Sequence, residues 1–465
     1  MPRTSRRQAL INELEERYED AKRSFLLHNA IQHDDGISDD VEQLGQLSYL
    51  ELMRSSELLD EAQRSRYVCS RTYRRSSVFV FETDLEVRTD GTHWLNEEEF
   101  VSKYRMTRDQ LDVVTGLIDG AEVFKTKKTG QRQMAVKYQL MIFLHFVGHE
   151  GMTDRTQRQV FMVSSGSITN AKYRVVKAFL SIRDEYYKWP SVEERKNLSD
   201  LFLQEHGFPN GFAVMDGTLL ELAFTPRSDD FSDYHGRKFQ YSLTVLVVNN
   251  DKREIIYYLS GFPGSAHDNR VCENTPLCKE PEKYFSMREY ILADTAFAPS
   301  NHCVPSYKCV TGTRLPVDEE HFNDALSTPR VSSEHTICMW KGRFGYLRKI
   351  RMRLDNDPSS LETILELIDS TVVLHNILIR NNDAVDVSTW FNELSDNEFS
   401  DMDDADRVPE CVPLRYSVPD GAPKGTRREQ LKAFIHETFI REHNYVPLNN
   451  YSASSDDSSA ISCTL

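Results

Sequence analysis

Three acidic residues stand where the sequence could perform metal-dependent chemistry. Asp216 ends the apolar segment "GFAVMD", Asp294 ends a second apolar segment, "REYILAD", and Glu334 lies in "STPRVSSEH". Carboxylate oxygens are hard ligands of the kind that Mg²⁺ prefers, and phosphodiester cleavage can use two such ions about 4 Å apart. Three acids held on rigid elements could bind that pair. Taken one at a time, each acid is more simply explained as a polar residue at a turn.

The elements that carry these acids follow from the hydrophobic pattern. Near residue 205 the pattern changes from helical to strand-like, and apolar segments rich in β-branched residues predict four strands. The segments are "GFAVMD", "FQYSLTVLVVNN", "EIIYYLSG" and "REYILAD". The Asn and Asp residues of "VNNDKRE" favour a hairpin turn between the second and third strands. We therefore predict a mixed α/β domain over residues 205–380.

Two later helices complete the predicted domain. Thr328 and Pro329 have the types expected at the N-cap and first turn of the helix that carries Glu334. In "SSLETILELIDSTVVLHNILIRN", Ser359 and Glu362 have the spacing of a capping box. A histidine within this apolar helix, His375, is predicted to be a hydrogen-bonded core residue.

An all-helical region, residues 91–200, precedes the strands. Thr107 is of the type preferred at a helix N-cap. Between about 154 and 180, a helix, a glycine-bearing turn and a second helix predict a helix-turn-helix-like unit. The second helix would present Lys172, Arg174 and Lys177 to DNA phosphates. The alternative is an ordinary helical hairpin with a solvated basic face.

The ends of the chain differ in composition from its middle. Residues 1–90 are predicted to form a helical appendage, 381–420 an acidic linker, 421–450 a C-terminal helix and 451–465 a disordered tail. No apolar run reaches the ~18 residues of a membrane helix. The first residues lack the apolar core of a signal peptide. We therefore expect an intracellular protein that does not enter a membrane.

The net charge of −16 argues at first against a nucleic-acid partner. Its distribution argues otherwise, because residues 121–180 contain ten Lys or Arg and three Asp or Glu. A second segment, "KGRFGYLRKIRMR" at 341–353, contains no acid. Clusters of this kind bind phosphates or serve as nuclear import signals. An acidic average thus conceals two basic segments.

The cysteines leave one alternative metal site open. Cys272 and Cys278 are six residues apart, as are Cys303 and Cys309, and His302 lies beside the second pair. A zinc site could be drawn from them, but the spacing matches no standard zinc motif. Reduced thiols in an intracellular protein are the better interpretation.

Six sequence motifs in one order resemble a known family. The resemblance covers residues 94–380 and is to the DDE endonuclease domain of PIF/Harbinger transposases and their domesticated relatives, the Harbinger transposase-derived nucleases. Six motifs in order are more specific than any one of them. The motifs are "MDGTLLEL", "GRKFQYSLTVLVV", "GFPGSAHDNRV", "YILADTAFAPS", "FNDALSTPRVSSEHTICMWKGRFGYLRKI" and "VVLHNILI".

The resemblance implies an RNase H-like fold, a mixed sheet flanked by helices, with cleavage dependent on two Mg²⁺ or Mn²⁺ ions. The family's two aspartates and its glutamate fall on Asp216, Asp294 and Glu334 as catalytic and metal-binding residues. His267 and Asp268, in "GSAHDNR", form a motif typical of the family. They are candidates for an auxiliary role, although hydrogen bonding within their own loop explains them as well.

Basic residues near the three acids are predicted to meet DNA phosphates. Arg330 lies four residues before Glu334 and Lys341 seven residues after it, so the three share one helix face. Guanidinium and ammonium groups there could bind phosphate oxygens. Further candidates of the same kind are Arg343, Arg237 and Lys238.

Two functions from different classes follow. The first is a metal-dependent DDE nuclease, encoded by a mobile element or domesticated, that cleaves DNA and joins a 3′-hydroxyl to target DNA. The second is a catalytically silent nuclear DNA-binding or scaffold protein. A small-molecule phosphoesterase is a third and more remote option. The resemblance also implies a separate Myb-like partner protein and allows an oligomer, and we expect the protein in the nucleus, with the cytoplasm as an additional location.

Overall fold

The computed structural model describes residues 6–31, 39–64, 77–86, 93–125, 133–227, 230–236, 239–286, 288–309, 313–381 and 426–443. The chain divides into two compact units, Met1–Ser76 and Ser77–Leu465. Within the described ranges, no helix combines the length and the apolar character needed to cross a membrane.

The first unit is a pair of helices, α1 (Arg6–Ile31) and α2 (Asp39–Arg64), which pack against each other. Ser48 and Ser55 of α2 are buried, and such small side chains allow the two helices to approach closely. Leu47 and Leu50 are exposed. Both helices lie within residues 1–90, the range predicted as a helical appendage.

Among the described residues, the second unit begins with eight α-helices. Thr107 caps α5 with a full capping box, since its side chain accepts from the Gln110 N–H while the Gln110 side chain accepts from the Thr107 N–H. The predicted N-cap is therefore confirmed. The helices are α3 (Ser77–Leu85), α4 (Glu97–Tyr104), α5 (Arg108–Ile118), α6 (Val136–Val147), α7 (Asp154–Phe161), α8 (Ser165–Ser181), α9 (Arg183–Tyr186) and α10 (Val192–His206).

A mixed sheet follows, with six strands among the described residues; five of them lie in the order β3-β2-β1-β4-β5, and β6 pairs with β1 outside this order. Strands β1, β2 and β3 are antiparallel, and β2 and β3 form the predicted hairpin. Strands β4 and β6 both pair in parallel with β1, at different points along its length, and β5 lies parallel to β4. The strands are β1 (Gly211–Leu222), β2 (Ser242–Asn249), β3 (Ile255–Pro263), β4 (Tyr290–Ala293), β5 (Cys303–Pro305) and β6 (Lys349–Ile350).

The remaining helices correct two predicted helix starts. Pro329 lies inside a long helix rather than in its first turn, so the start predicted at Thr328 is wrong. Asp357 caps the next helix and Pro358 is its first residue, so the start predicted at Ser359 is also wrong. These helices are α11 (Asp268–Glu273), α12 (Pro276–Lys279), α13 (Pro281–Tyr284), α14 (Val317–Arg343), α15 (Pro358–Arg380) and α16 (Arg427–His443).

Both faces of the sheet are covered by apolar side chains. Alternate residues of a strand point to opposite faces. Accordingly, Val245 and Val247 of β2 pack in one cluster with α6, α8 and α15, whereas Leu246 and Val248 pack in another with α11. The first cluster also holds residues of α3 to α8, so the helical region and the sheet share one core. The predicted α/β fold, a mixed sheet flanked by helices, is confirmed.

The C-terminal helix joins this unit. Leu431 and Ile435 of α16 are buried beside Phe322 of α14 in a third cluster. Helix α16 falls within the range predicted as a C-terminal helix. Both the acidic segment predicted as a linker and the predicted disordered tail lie outside the described residues.

Candidate active site

Strand pairing sets two of the predicted acids side by side. In the parallel register of β1 and β4, Val214 is opposite Leu292 and Met215 is opposite Ala293. The next residues along the two chains are Asp216 and Asp294. Adjacent strands lie about 4.8 Å apart, so the two carboxylates meet at the point where β4 ends. Pairing of β1 with β4 thus brings together Asp216 and Asp294, which are 78 residues apart in the sequence.

The third acid reaches the same place from α14, which packs against β1 and β4. The Arg330 guanidinium donates to Glu334 Oε1 over 3.1 Å, and its Nε lies 3.7 Å from Asp294 Oδ1. One arginine therefore links two of the acids across two elements. The predicted shared helix face of Arg330 and Glu334 is present.

The electrostatic environment of Asp216 reflects this crowding. Burial raises the pKa of its carboxyl to about 7, and the Asp294 carboxylate beside it acts in the same direction. The Gly217 N–H, which donates to Asp216 Oδ1 over 2.7 Å, and the Arg330 guanidinium both oppose that rise in pKa. The charged form of Asp216 is therefore unfavourable in the metal-free fold, chiefly because the carboxyl is buried.

A fourth carboxylate lies next to the first strand. A methyl group added at Gly217 would lie 2.5 Å from Asp268 Cγ and 2.8 Å from Asp268 Oδ2, so the Asp268 side chain rests directly on the backbone beside Asp216. Asp268 is the first residue of α11, and the preceding His267 is its N-cap and is exposed. Because alternate residues of a strand point to opposite faces, this contact places Asp268 beside Gly217 on the face of β1 opposite to the Asp216 side chain.

Replacing Gly217 by alanine is expected to disturb this site without unfolding the domain. The new methyl group would push the Asp268 carboxylate away by about 1 Å, a displacement that can cost on the order of 100-fold in the rate of an enzyme. The measurement is the rate of metal-dependent DNA nicking, with circular dichroism to verify the fold. Gly116→Ala is the matched control, because nothing lies within 4 Å of a methyl group added there. Wild-type nicking by Gly217→Ala would contradict the close contact.

The acids of this site are of the type that binds metal ions, but their side chains are not grouped closely enough to hold one. Over the part of the chain that the structure describes, no three His, Cys, Asp or Glu side chains are grouped so as to hold an ion. Arg330 instead supplies the positive charge between Asp294 and Glu334. The packed strands and the helix nevertheless present hard oxygen donors of the kind that divalent cations prefer. A cation bound there would also offset the unfavourable charge that the raised pKa of Asp216 reflects.

A further positioning contact could not be found from the sequence. The Ser333 hydroxyl, next to Glu334, donates to Asn249 Oδ1 over 2.7 Å, and both side chains are buried. This hydrogen bond fixes α14 against the end of β2. The two residues are 84 apart in the chain. Neither lies in a pattern that predicts pairing.

The predicted DNA-binding residues of the helical region have partners within the domain. Lys172 forms an ion pair with Asp154 of α7 and lies 3.9 Å from the centre of the Phe146 ring. Lys177 forms an ion pair with Glu366 of α15. Arg174 is half-buried. Helices α7 and α8 exist as predicted, and a DNA-binding role for them stays a prediction.

The other predicted cations are spread over several environments. Arg343 is 1% exposed, so its guanidinium lies in the interior and does not suit the predicted contact with DNA. Lys341 is half-buried on the same helix. Arg237 and Lys238 lie outside the described residues. His375 is buried with Nε2 3.0 Å from the Arg253 carbonyl, as expected of a core histidine.

Comparison with known proteins shows which family this domain resembles. A family model described as "DDE superfamily endonuclease" matches residues 215–376, a range that begins next to Asp216 and includes Asp294 and Glu334. Endonucleases of this superfamily generally use divalent metal ions. No solved structure matches the chain.

Whole-protein relatives agree with this match. The chain is 22% identical over 291 residues to the Xenopus laevis protein named "Putative nuclease HARBI1", covering 62% of this chain and 80% of that protein. It is 23% identical over 288 residues to the Mus musculus protein of that name, covering 61% and 78%. It is 20% identical over 303 residues to "Protein ALP1-like" of Arabidopsis thaliana, covering 61% and 71%. Residues 215–376 thus resemble DDE superfamily endonucleases, and the predicted resemblance to the Harbinger transposase-derived nucleases is confirmed.

Proposed function

We propose that this chain is a divalent-metal-dependent DNA endonuclease of the PIF/Harbinger type, with Asp216, Asp294 and Glu334 as its catalytic carboxylates. The main support is the strand register that sets Asp216 beside Asp294, with Glu334 joined to Asp294 through Arg330. Carboxylates crowded at one point destabilise a fold that lacks a cation. Shifted pKa values of this kind are concentrated at functional sites.

Each side chain has a defined task in this proposal. Asp216 and Asp294 offer ligand oxygens from neighbouring packed strands, and Glu334 offers a third from α14. The metal ions, when bound, activate the attacking oxygen and stabilise the leaving oxygen. Arg330 limits the repulsion between the acids and is placed to meet a phosphate oxygen of the substrate. Asp268, which packs against Gly217 on the same strand, has an auxiliary part in holding that strand.

The test is nicking of supercoiled plasmid DNA by the full chain. We expect open-circle product with Mg²⁺ or Mn²⁺, none with a chelator, and a loss of product with Asp294→Asn. Cleavage that survives the chelator, or that Asp294→Asn performs at the wild-type rate, would show that the activity does not arise at these carboxylates.

A silent DNA-binding scaffold is the second candidate, and one observation favours it. Arg330 already occupies the space between two of the acids, and it could stand permanently in place of a metal ion. Calorimetric titration with Mn²⁺ separates the two functions. Heat of binding supports the nuclease, whereas the absence of heat at millimolar Mn²⁺ together with retained DNA binding supports the scaffold.

The finer parts of the proposal follow from family similarity. A transposase of this kind would join the freed 3′-hydroxyl to target DNA, and a domesticated descendant would retain cleavage alone. A Myb-like partner, a nuclear location and an oligomeric state belong to the same proposal. Cleavage of a duplex that carries terminal inverted repeats, compared with a scrambled duplex, tests whether the specificity is that of a transposase.

A further inference from the structure

Two exposed arginines flank one aromatic ring just beyond the sheet. Arg351 and Arg353 follow β6, and Phe224 follows β1. The guanidinium carbons lie 5.7 and 5.3 Å from the centre of the Phe224 ring, within the range of cation–π attraction. Both arginines are exposed, and the ring is half-buried. The three side chains form a small cationic and aromatic surface, here called the arginine platform.

Backbone hydrogen bonds hold the platform in place. The Ala223 N–H donates to the Ile350 carbonyl over 2.9 Å, and the Arg227 N–H donates to the Leu354 carbonyl over 2.8 Å. The two segments therefore continue side by side past the last paired residues of β1 and β6. The Arg351 N–H also donates to the Tyr346 hydroxyl over 3.1 Å. A platform fixed in this way requires little ordering when it binds a ligand.

The platform differs from its basic neighbours in its counter-charges. Arg348 lies 3.6 Å from a Glu150 carboxylate oxygen, and Lys349 lies 3.0 Å from one of Glu221. Among the described residues, Arg351 and Arg353 make no ion pair with a carboxylate. Two uncompensated cations in a chain of net charge −16 are suited to an anion from outside.

The platform and the acidic site are connected through one strand. Phe224 is eight residues after Asp216, which corresponds to about 26 Å at the rise of an extended strand. The same length covers roughly seven or eight phosphates along one strand of B-DNA. A single duplex is therefore long enough to reach both places.

We propose that Arg351, Phe224 and Arg353 bind the phosphate backbone of duplex DNA away from the reactive carboxylates. The identification of the polymer as duplex DNA rests on the proposed function. Each guanidinium contacts a phosphate oxygen, and the contact of both groups with the Phe224 ring orients them. The platform supplies affinity and alignment and does not take part in the chemistry.

The test is fluorescence anisotropy of a labelled duplex with the full chain in the presence of a chelator, over a range of salt concentrations. Each phosphate contact contributes about 0.9 to the slope of log affinity against log salt. Arg351→Ala/Arg353→Ala is therefore expected to reduce the slope by about two. As a result, raising the salt from about 50 to about 200 mM weakens binding of the variant by roughly tenfold less than binding of the wild type. Phe224→Leu is expected to weaken binding with a smaller change of slope.

Lys196→Ala/Lys252→Ala is the matched control. Both lysines are exposed, and Lys252 follows the end of β2 that pairs with the beginning of β1, away from Phe224. This variant loses the same charge and is expected to retain the wild-type slope. An equal change of slope in both double variants would show that only the total charge of the protein matters, and it would overturn the proposal. A loss confined to single-stranded DNA or RNA would also overturn it.

The outcome is separable from that of the nuclease proposal. Metal-dependent nicking with an unchanged slope for Arg351→Ala/Arg353→Ala would reject the platform and leave the nuclease in place. Absence of nicking by the wild type, together with the expected change of slope, would reject the nuclease and leave the platform as a DNA-binding surface.

Discussion

Replacing Asp216 by asparagine is expected to abolish metal-dependent DNA cleavage while the domain stays folded. Asp216 is held by β1 beside Asp294, and the substitution removes one ligand charge with almost no change of shape. Mutations of residues that merely support metal ligands cost about 10–100-fold in activity or metal affinity. Loss of a ligand charge should cost on the order of 10³-fold or more, equivalent to about 4 kcal/mol of activation free energy.

A second readout distinguishes this effect from unfolding. Burial and the Asp294 carboxylate raise the pKa of Asp216 to about 7, so its charged form is unfavourable in the metal-free fold. Stability from this group is greatest at low pH and is lost as the pH rises toward 7. A neutral asparagine removes that loss. The variant should therefore be at least as resistant to urea as the wild type without metal, and added Mn²⁺ should stabilise the wild type alone.

Asp119→Asn is the control, since it makes the same chemical change at an exposed residue that ends α5. It should nick DNA at the wild-type rate. Residual cleavage by Asp216→Asn within tenfold of the wild type would assign the chemistry to other residues. A variant that unfolds at lower urea concentration would contradict the unfavourable charge inferred for Asp216.

Local patterns in the sequence located four of the six strands among the described residues and missed the short strands β5 and β6. Asp294 directly follows β4 as predicted, and Thr107 caps its helix as predicted. These features depend on residues close together in the chain. Asp216, by contrast, does not end its strand, because pairing with β2 continues β1 to Leu222. Family resemblance then connected acids that hydrophobic patterns could not connect.

Features set by distant contacts were not predictable. Pro329 suggested the start of a helix because a proline in a helix interior costs about 3 kcal/mol. Packing of α14 against the sheet and α16 nevertheless extends that helix back to Val317. The ion-pair partners and the exposure of the basic residues could not be predicted from the sequence either. Lys177 is compensated by Glu366, 189 residues away, whereas Arg351 and Arg353, within one uniformly basic segment, remain exposed.

Replacing Trp340 by alanine should have the largest effect on stability. Trp340 is fully buried in α14, six residues after Glu334, and its Nε1–H donates to Thr371 Oγ1 of α15 over 3.1 Å. Truncation of a buried tryptophan to alanine leaves a cavity and costs about 3–5 kcal/mol. Because α14 carries both Arg330 and Glu334, a loosened helix should also reduce nicking. The free energy of unfolding, measured by urea titration with circular dichroism, tests the first effect.

Trp340→Phe separates packing from hydrogen bonding at this position. Phenylalanine fills most of the space and removes only the Nε1–H donor, and the Thr371 hydroxyl keeps its bond to the Ile368 carbonyl. The loss should then be about 1 kcal/mol for the hydrogen bond, with a further contribution from the smaller ring. If Trp340→Ala were as stable as Trp340→Phe, packing of α14 on α15 would not be what holds Glu334 at the site. The Ser333–Asn249 hydrogen bond would then be the main anchor of the acid-bearing helix.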